Sequence, residues 1–347
     1  LRQAAEDALL AEKIARAQLS PVVIVGPTAS GKTELALALA RALGGEIVSA
    51  DSRQVYRELC AGTAKPQRDL QGRVDGVFYH LVDCVPITEP FDAGRFAVLA
   101  REQVAEARRQ GRVPIVAGGT GLYIRALLEG LCALPQRDEA LRRRLEAEAR
   151  AHGGASLHER LARVDPEAAA AIPPNNIQRV VRALEVCELT GRPISAHWRD
   201  HKNERGADRR PATTAPPRGA VVPLGGQITP SAILRIDWPP EVLRQRITKR
   251  AETMWPRMLA EVRELLRRFS GEEPGFRSLG YPEAIACAQG RLSTDEGLAR
   301  LVNHTCAYAR RQRTWFRHQL SAQAVAGGRL EDMLGQALQF IPDRHSP

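Results

Sequence analysis

The residues Val22-Val23-Ile24-Val25 run directly into Gly26-Pro27-Thr28-Ala29-Ser30-Gly31-Lys32-Thr33, and an Ala/Leu-rich segment follows at 34–43. Four β-branched residues in a row read as a buried strand, the later segment as a helix, and the turn between them fits G-x-x-x-x-G-K-[ST]. Such a turn closes backbone N–H groups on an anion. The helix N-terminus adds partial positive charge, Lys32 a full one, and the Thr33 hydroxyl is placed to ligate Mg²⁺. A strand feeding a helix in this way predicts an α/β architecture. The loop specifies phosphate without saying whose, and taken alone it reads as an ATP site.

The next stretches repeat the alternation. Gly44-Gly45 is expected to end the helix, and Glu46-Ile47-Val48-Ser49-Ala50 reads as a second strand ending at Asp51. The segment Asp51-Ser52-Arg53-Gln54-Val55-Tyr56 then leaves the carboxyl end of that strand, the edge of an open α/β sheet where ligands collect. A carboxylate there serves as a metal ligand, a general base or a helix N-cap. A polar loop with a lysine, Gly62-Thr63-Ala64-Lys65-Pro66, precedes a third strand at Phe78-Tyr79-His80-Leu81-Val82. Asp92 caps a helix with Phe96, Ala100, Val104 and Ala107 at helical spacing, ended by Gly111. Val113-Pro114-Ile115-Val116-Ala117 opens into a second glycine-rich turn, Gly118-Gly119-Thr120-Gly121. Strands and helices alternating like this predict a parallel, doubly wound sheet.

From Asp138 the texture becomes helical. Arg142-Arg143-Arg144 sits in a charged helix and Asp165-Pro166 begins another. A two-faced helix then carries Ile177, Val181 and Leu184 on one side and Gln178, Arg179 and Arg182 on the other. That basic face either meets nucleic acid or is simply solvated. Strand character returns at Ile233-Leu234-Arg235-Ile236-Asp237-Trp238. The helix after it places Arg246, Arg250 and Thr253 toward one point, an arrangement suited to pyrophosphate, and Pro256 is expected to break or kink it. In the last long helix arginines interleave with aromatics at Tyr308-Ala309-Arg310-Arg311-Gln312-Arg313-Thr314-Trp315. They bind phosphates and bases, or form a buried aromatic stripe beside a solvated basic one.

The organisation predicted is a 1–19 extension, a first core part at 20–137, an inserted helical lobe at 138–200 and a flexible connection at 201–230. Residues 231–325 complete the core and 326–347 form a tail. A length of 347 residues accommodates a core plus such an insertion, and a formal charge of +10 argues for a polyanionic partner. The six cysteines contain no C-x-x-C pair, which argues against a zinc site or disulfide framework and for reduced thiols in the cytoplasm. His197 and His201 lack a third ligand nearby. No apolar run approaches the length of a membrane span and no signal peptide is evident, so no membrane partner is expected.

Taken together, residues 26–33, Asp51-Ser52 with Gln54-Val55-Tyr56, residues 62–66, Ala93-Gly94-Arg95-Phe96, residues 118–123, Gln178-Arg179 with Arg182-Ala183-Leu184-Glu185, Gly280-Tyr281 with Glu283, and residues 308–315 resemble the bacterial tRNA dimethylallyltransferases. The resemblance implies a P-loop NTPase-like parallel-sheet core with an inserted all-helical lobe that binds tRNA. It implies transfer of a dimethylallyl group from dimethylallyl diphosphate to N6 of adenosine 37, next to the anticodon, in tRNAs reading codons that begin with U. Asp51 would be the base, with Lys32, Thr28 and Arg250 also catalytic. Residues 26–33 and Arg246 would hold the diphosphate, and Thr33 would hold Mg²⁺. Asp51, Ser52, Arg53, Gln54, Thr120, Arg142, Gln178, Arg179, Val180, Val181 and Arg182 would meet the tRNA anticodon stem-loop. A cytoplasmic monomer is expected. Departures from the pattern stand at Cys60-Ala61, Pro256-Arg257 and Cys306. A small-molecule kinase uses the same loop, and an adenylate prenyltransferase the same chemistry; neither needs the extra lobe or the basic helices.

Overall fold

The computed structural model describes residues 19–206 and 228–342. The first strand β1 (Val22–Val25) is buried on both faces, as an all-β-branched run demands, and takes an inner position in a seven-stranded sheet. Its neighbours are β5 (Val113–Gly118), equally buried, and β6 (Ala232–Asp237). Outside these lie β2 (Gly45–Ser49) and β4 (Val77–His80) on one side and β7 (Gln323–Ala326) on the other. These six strands run parallel, while the short β3 (Arg73–Val74) pairs antiparallel with β4 at the edge.

Helix α1 (Lys32–Leu43) packs Leu35 and Leu39 onto Val22, Ile24, Ile47 and Ile115. Gly44 ends it in the left-handed conformation and returns its N–H to Ala40. Helix α2 (Ala93–Arg109), capped by the Asp92 carboxylate on Arg95 N, packs with α3 (Gly121–Glu129) against β5. None of their buried residues belongs to the first cluster, so the two helices cover the opposite face.

The chain divides into two compact units, Leu1–Glu129 with Gly226–Pro347, and Gly130–Gly225. The second holds five helices among its described residues: α4 (Glu139–His152), α5 (Gly154–Val164), α6 (Pro166–Ala171), α7 (Ile177–Thr190) and α8 (Ile194–Gly206), around Leu145, Leu157, Leu161, Val181 and Leu184. It begins at Gly130 rather than at Asp138. Three bonds draw the intervening residues in: Cys132 Sγ to His197 O, Arg182 to Pro135 O, and Asp138 N to Glu185.

Three expectations need correction. The connection at 201–230 is helical up to Gly206, because no proline or glycine interrupts α8 before that residue. Residues 207–227 lie outside the described residues, as does the expected extension except for Leu19. The tail at 326–347 contains α12 (Leu330–Gln339), whose Met333 and Ala337 join the main core beside α1, following strand β7. Pro256 does not break its helix. In α9 (Pro240–Leu265) it stands within one continuous element held by Trp255, Met258, Leu259 and Val262. That apolar face packs on α10 (Tyr281–Ala288) and α11 (Thr294–Gln319), and its burial outweighs the lost backbone hydrogen bond.

Candidate active site

Val25, the last residue of β1, pairs with Gly118, the last of β5, so the two glycine-rich turns leave the sheet side by side. Asp51 emerges from β2 on the far side of β5, and α9, bearing Arg246 and Arg250, emerges from β6 on the far side of β1. One row of four strand ends therefore presents Asp51, the second glycine turn, the first glycine turn and two arginines in that order.

The turns are packed too closely for side chains. A Cβ on Gly118 would lie 2.1 Å from Ala50 O, and one on Gly119 2.4 Å from the Gln312 amide nitrogen. Gly118→Ala is expected to cost about 3 kcal/mol, since the clash is with backbone that cannot rotate away. Urea denaturation against wild type checks this. Gly31 caps α1 at φ 91°, a conformation open to glycine, and Ala29 is held at φ 62°.

The loop is braced from outside. Arg246 Nε donates to Ala29 O at 2.8 Å and its guanidinium stacks on Trp238, whose indole N–H donates to Ser30 O at 2.9 Å. Lys32 Nζ donates to Pro27 O at 2.7 Å. Burial brings the Lys32 ammonium down to about 8; Asp51 opposes that shift, Arg250 adds to it and Glu34 opposes it. Burial also lowers Arg250, against the attraction of Asp51 and Glu34. Two desolvated cations beside two carboxylates form a strong local field. The Ser30 hydroxyl is 1% exposed and has no hydrogen-bond partner among the described residues. A buried hydroxyl left open in a positively charged loop matches an oxyanion.

Gly26 and Pro27 are buried at the base of the loop, so they shape it, while Thr28, Ala29, Ser30, Gly31, Lys32 and Thr33 line the cleft. Thr33 shares a hydrogen bond with Tyr79, whose hydroxyl burial pushes up to about 12. The cleft has a volume of ≈ 1770 Å³. That exceeds the several hundred Å³ a small ligand occupies and leaves room for a second, larger reactant. Asp51 Oδ1 accepts Arg53 N at 2.9 Å, Ser52 N donates to Thr120 Oγ1 at 3.1 Å, and Gln54 is held by Ser49 at 3.0 Å.

Several residues of the site stand outside the expected set of site residues. Gln312 of α11 accepts from Thr28 N at 2.9 Å and donates to Gly119 O at 2.8 Å. Glu261 of α9 accepts from Cys60 N and Ala61 N at 2.9 and 2.8 Å, and Tyr281 OH joins it at 2.6 Å while accepting from Gly62 N. Glu261 uses only backbone groups of Cys60-Ala61, which accommodates that departure. Lys65 is spent on structure, donating to Tyr56 O and Arg57 O and pairing with Asp83. Cys306 packs in the apolar cluster of Leu243, Ile247 and Ala309 with Ala29 and Trp238.

In the helical unit the residues expected to meet RNA divide. Gln178 and Arg179 are exposed on the first turn of α7. Val180 and Val181 are fully buried in the unit's core, so their side chains are removed from that list. Arg142 and Arg182 both pair with Glu185, which is completely buried, at 3.3 and 2.7 Å. Glu185→Ala would remove the buried partner of two guanidinium groups, leaving Arg142 a 3.9 Å pair with Glu146 and Arg182 its bond to Pro135 O, and is expected to destabilise the unit by about 3 kcal/mol. Urea unfolding followed by circular dichroism tests it. Among the described residues no three His, Cys, Asp or Glu form a metal cluster, and no helix is long and apolar enough to cross a membrane.

Comparison with known proteins bears on the same residues. The profile described as IPP transferase matches residues 54–319, and that described as isopentenyl transferase matches residues 20–78. A tRNA dimethylallyltransferase of Anaeromyxobacter sp. (strain Fw109-5) is 45% identical over 306 residues, 88% of this chain and 94% of that protein. That of Elusimicrobium minutum (strain Pei191) is 40% identical over 85% of this chain and 90% of its own. The crystal structure of the full-length tRNA isopentenylpyrophosphate transferase from Bacillus halodurans superposes with a TM-score of 0.60 at 31% identity, covering 92% of this chain and 97% of that one. A eukaryotic dimethylallyltransferase acting on tRNA shares the fold, with a TM-score of 0.68 at 24% identity over 92% of this chain and 76% of its own. With a profile spanning the cleft from Gln54 through α11 and relatives alike along nearly their whole length, the chain belongs to the IPP transferase family.

Proposed function

We propose that this chain transfers a dimethylallyl group from dimethylallyl diphosphate to N6 of the adenosine next to the anticodon in tRNA, releasing pyrophosphate. The observation that carries the reading is the setting of Asp51 in the field of Lys32 and Arg250 at one sheet edge. A kinase pairs a phosphate cradle with a carboxylate base as well; alkylation of an amine needs the same pair, and the likeness to tRNA dimethylallyltransferases favours it here.

The adenine N6 lone pair attacks the allylic carbon. That carbon's bond to the diphosphate oxygen breaks, and its electron pair leaves on pyrophosphate. Charge then grows on the leaving group, where the loop N–H groups, Ser30 Oγ, Lys32 and Arg250 stabilise it. Asp51 takes the N6 proton, which becomes acidic only as the new bond forms. Thr28 orients the diphosphate from the loop. An adenine stacked in an anticodon loop cannot reach this edge, so it is flipped into the cleft. Thr120, Ser52, Arg53 and Gln54 meet it there, and Gln178 and Arg179 bind the stem, with Arg142 and Arg182 positioned through Glu185.

Mg²⁺ fits Thr33 as a protein ligand. The Thr33 hydroxyl lines the same cleft as the phosphate loop and would hold the ion there. Bound, it neutralises charge on the leaving group. The protein acts as a monomer in the cytoplasm on this reading.

The test is incubation with labelled dimethylallyl diphosphate and Mg²⁺, with tRNA or AMP as acceptor. Label in tRNA alone is expected; label in AMP, or turnover of ATP in its place, overturns the reading.

A further inference from the structure

Three residues of α11 each address the second glycine turn. The Tyr308 side chain hydrogen-bonds with Thr120, Gln312 Nε2 donates to Gly119 O, and the Trp315 ring fills the space beside Gly121, where a Cβ would lie 2.4 Å from it. Of the three, Gln312 also reaches the phosphate loop, through Oε1 and Thr28 N. Its side chain is buried at 7% exposure, and both ends of the carboxamide are engaged. From Gly119 the connection continues to Thr120, whose Oγ1 accepts Ser52 N, next to Asp51.

We propose that Gln312 is a positioning residue that fixes the donor loop relative to the acceptor edge, an inference that rests on the prenyl-transfer reading. Thr28 stands on the loop that holds the leaving group, and Thr120 and Asp51 on the edge that receives the adenine. A single carboxamide sets the spacing between them. It also occupies the Thr28 N–H, so that this group belongs to the frame of the site and the remaining loop N–H groups face the anion. The neutral carboxamide accepts at one end and donates at the other. Ionised glutamate would accept from Thr28 but offer Gly119 O no proton, and asparagine is one methylene short. Misplacement of about 1 Å costs on the order of 100-fold in rate when two reactants must be aligned. Each half-site, however, keeps its own contacts with its own ligand.

The experiment compares wild type with Gln312→Met, Gln312→Glu and Gly119→Ala, the last pushing the carboxamide from the opposite side. For each, four quantities are measured: single-turnover prenyl transfer at saturating substrates, tRNA affinity by gel shift, inorganic pyrophosphate affinity by calorimetry, and hydrogen exchange at the Thr28 amide. Transfer is expected to fall about 100-fold in Gln312→Met, with tRNA and pyrophosphate affinities each within about threefold of wild type. Thr28 should exchange faster in Gln312→Met but stay protected in Gln312→Glu. Transfer within about threefold of wild type, or a loss lying wholly in tRNA affinity, overturns the inference. If wild type itself moves no label onto tRNA, the function reading fails. In that case Thr28 exchange decides for Gln312: unchanged protection in Gln312→Met overturns its role, and lost protection upholds it.

Discussion

Asp51→Asn is expected to slow prenyl transfer by about 10³-fold, the size of a positioned general base, while tRNA affinity stays within a few-fold of wild type. Asparagine is the informative substitution. Oδ1 of Asp51 accepts the Arg53 N–H, and the carbonyl of an amide does the same, so the turn leading to Gln54 survives and the charge alone is removed. Single-turnover transfer with labelled donor reads the chemistry, and a gel shift reads the RNA. Turnover near wild type would move the base elsewhere. A second effect follows from the same charge. Asp51 opposes the depression of Lys32, so without it the lysine loses its proton at a lower pH and the alkaline limb of diphosphate binding shifts downward.

Lys32→Met is expected to weaken inorganic pyrophosphate binding on the order of 100-fold, the worth of a charge-assisted hydrogen bond in a desolvated site. Wild type carries its own version of this experiment in pH. Lys32 titrates at about 8, below its ordinary 10.5, because burial disfavours the ammonium. Diphosphate binds the charged form, so affinity is full below about 8 and declines as pH rises through that value; in Lys32→Met this component is absent. The sign for stability is opposite. Between about 8 and 10.5 the unfolded chain holds a proton that the folded one has released, so this group's contribution to stability rises with pH across that window. Calorimetric titration of pyrophosphate and urea unfolding over the same pH range should therefore move in opposite directions. Parallel movement would mean that another group controls the limb.

Much of the core could be read locally. The run 22–33 carries its strand, turn and helix in its own composition, and Asp92, Gly44 and Asp165 act as caps within a few residues of their positions. The helical insertion shows in its texture from 138 onward. What escaped reading has a common cause. Strand β7 is four residues long with a single buried side chain, and α12 is short, so neither has a period that stands out from a polar tail. Arg142 and Arg182 look like any solvated basic face until Glu185 is seen between them, and the resemblance placed Val180 and Val181 near RNA without saying which way they point. Position along a chain does not encode the direction of a side chain when the partner lies on another element.

The phosphate loop shows the division most clearly. Its glycines, Lys32 and Thr33 point by themselves to an anion after β1, because those properties are local to eight residues. That the second glycine turn lies beside the loop, Asp51 beyond that turn, and Arg250 on the other flank was decided by the strand order β2-β5-β1-β6. The tie between the two turns was decided by Gln312, 284 residues from Thr28. Hydrogen bonds of that span exist only once the sheet has closed and α11 has packed, and it is they that join the Gly26–Thr33 loop to the strand ends that carry Thr120 and Asp51.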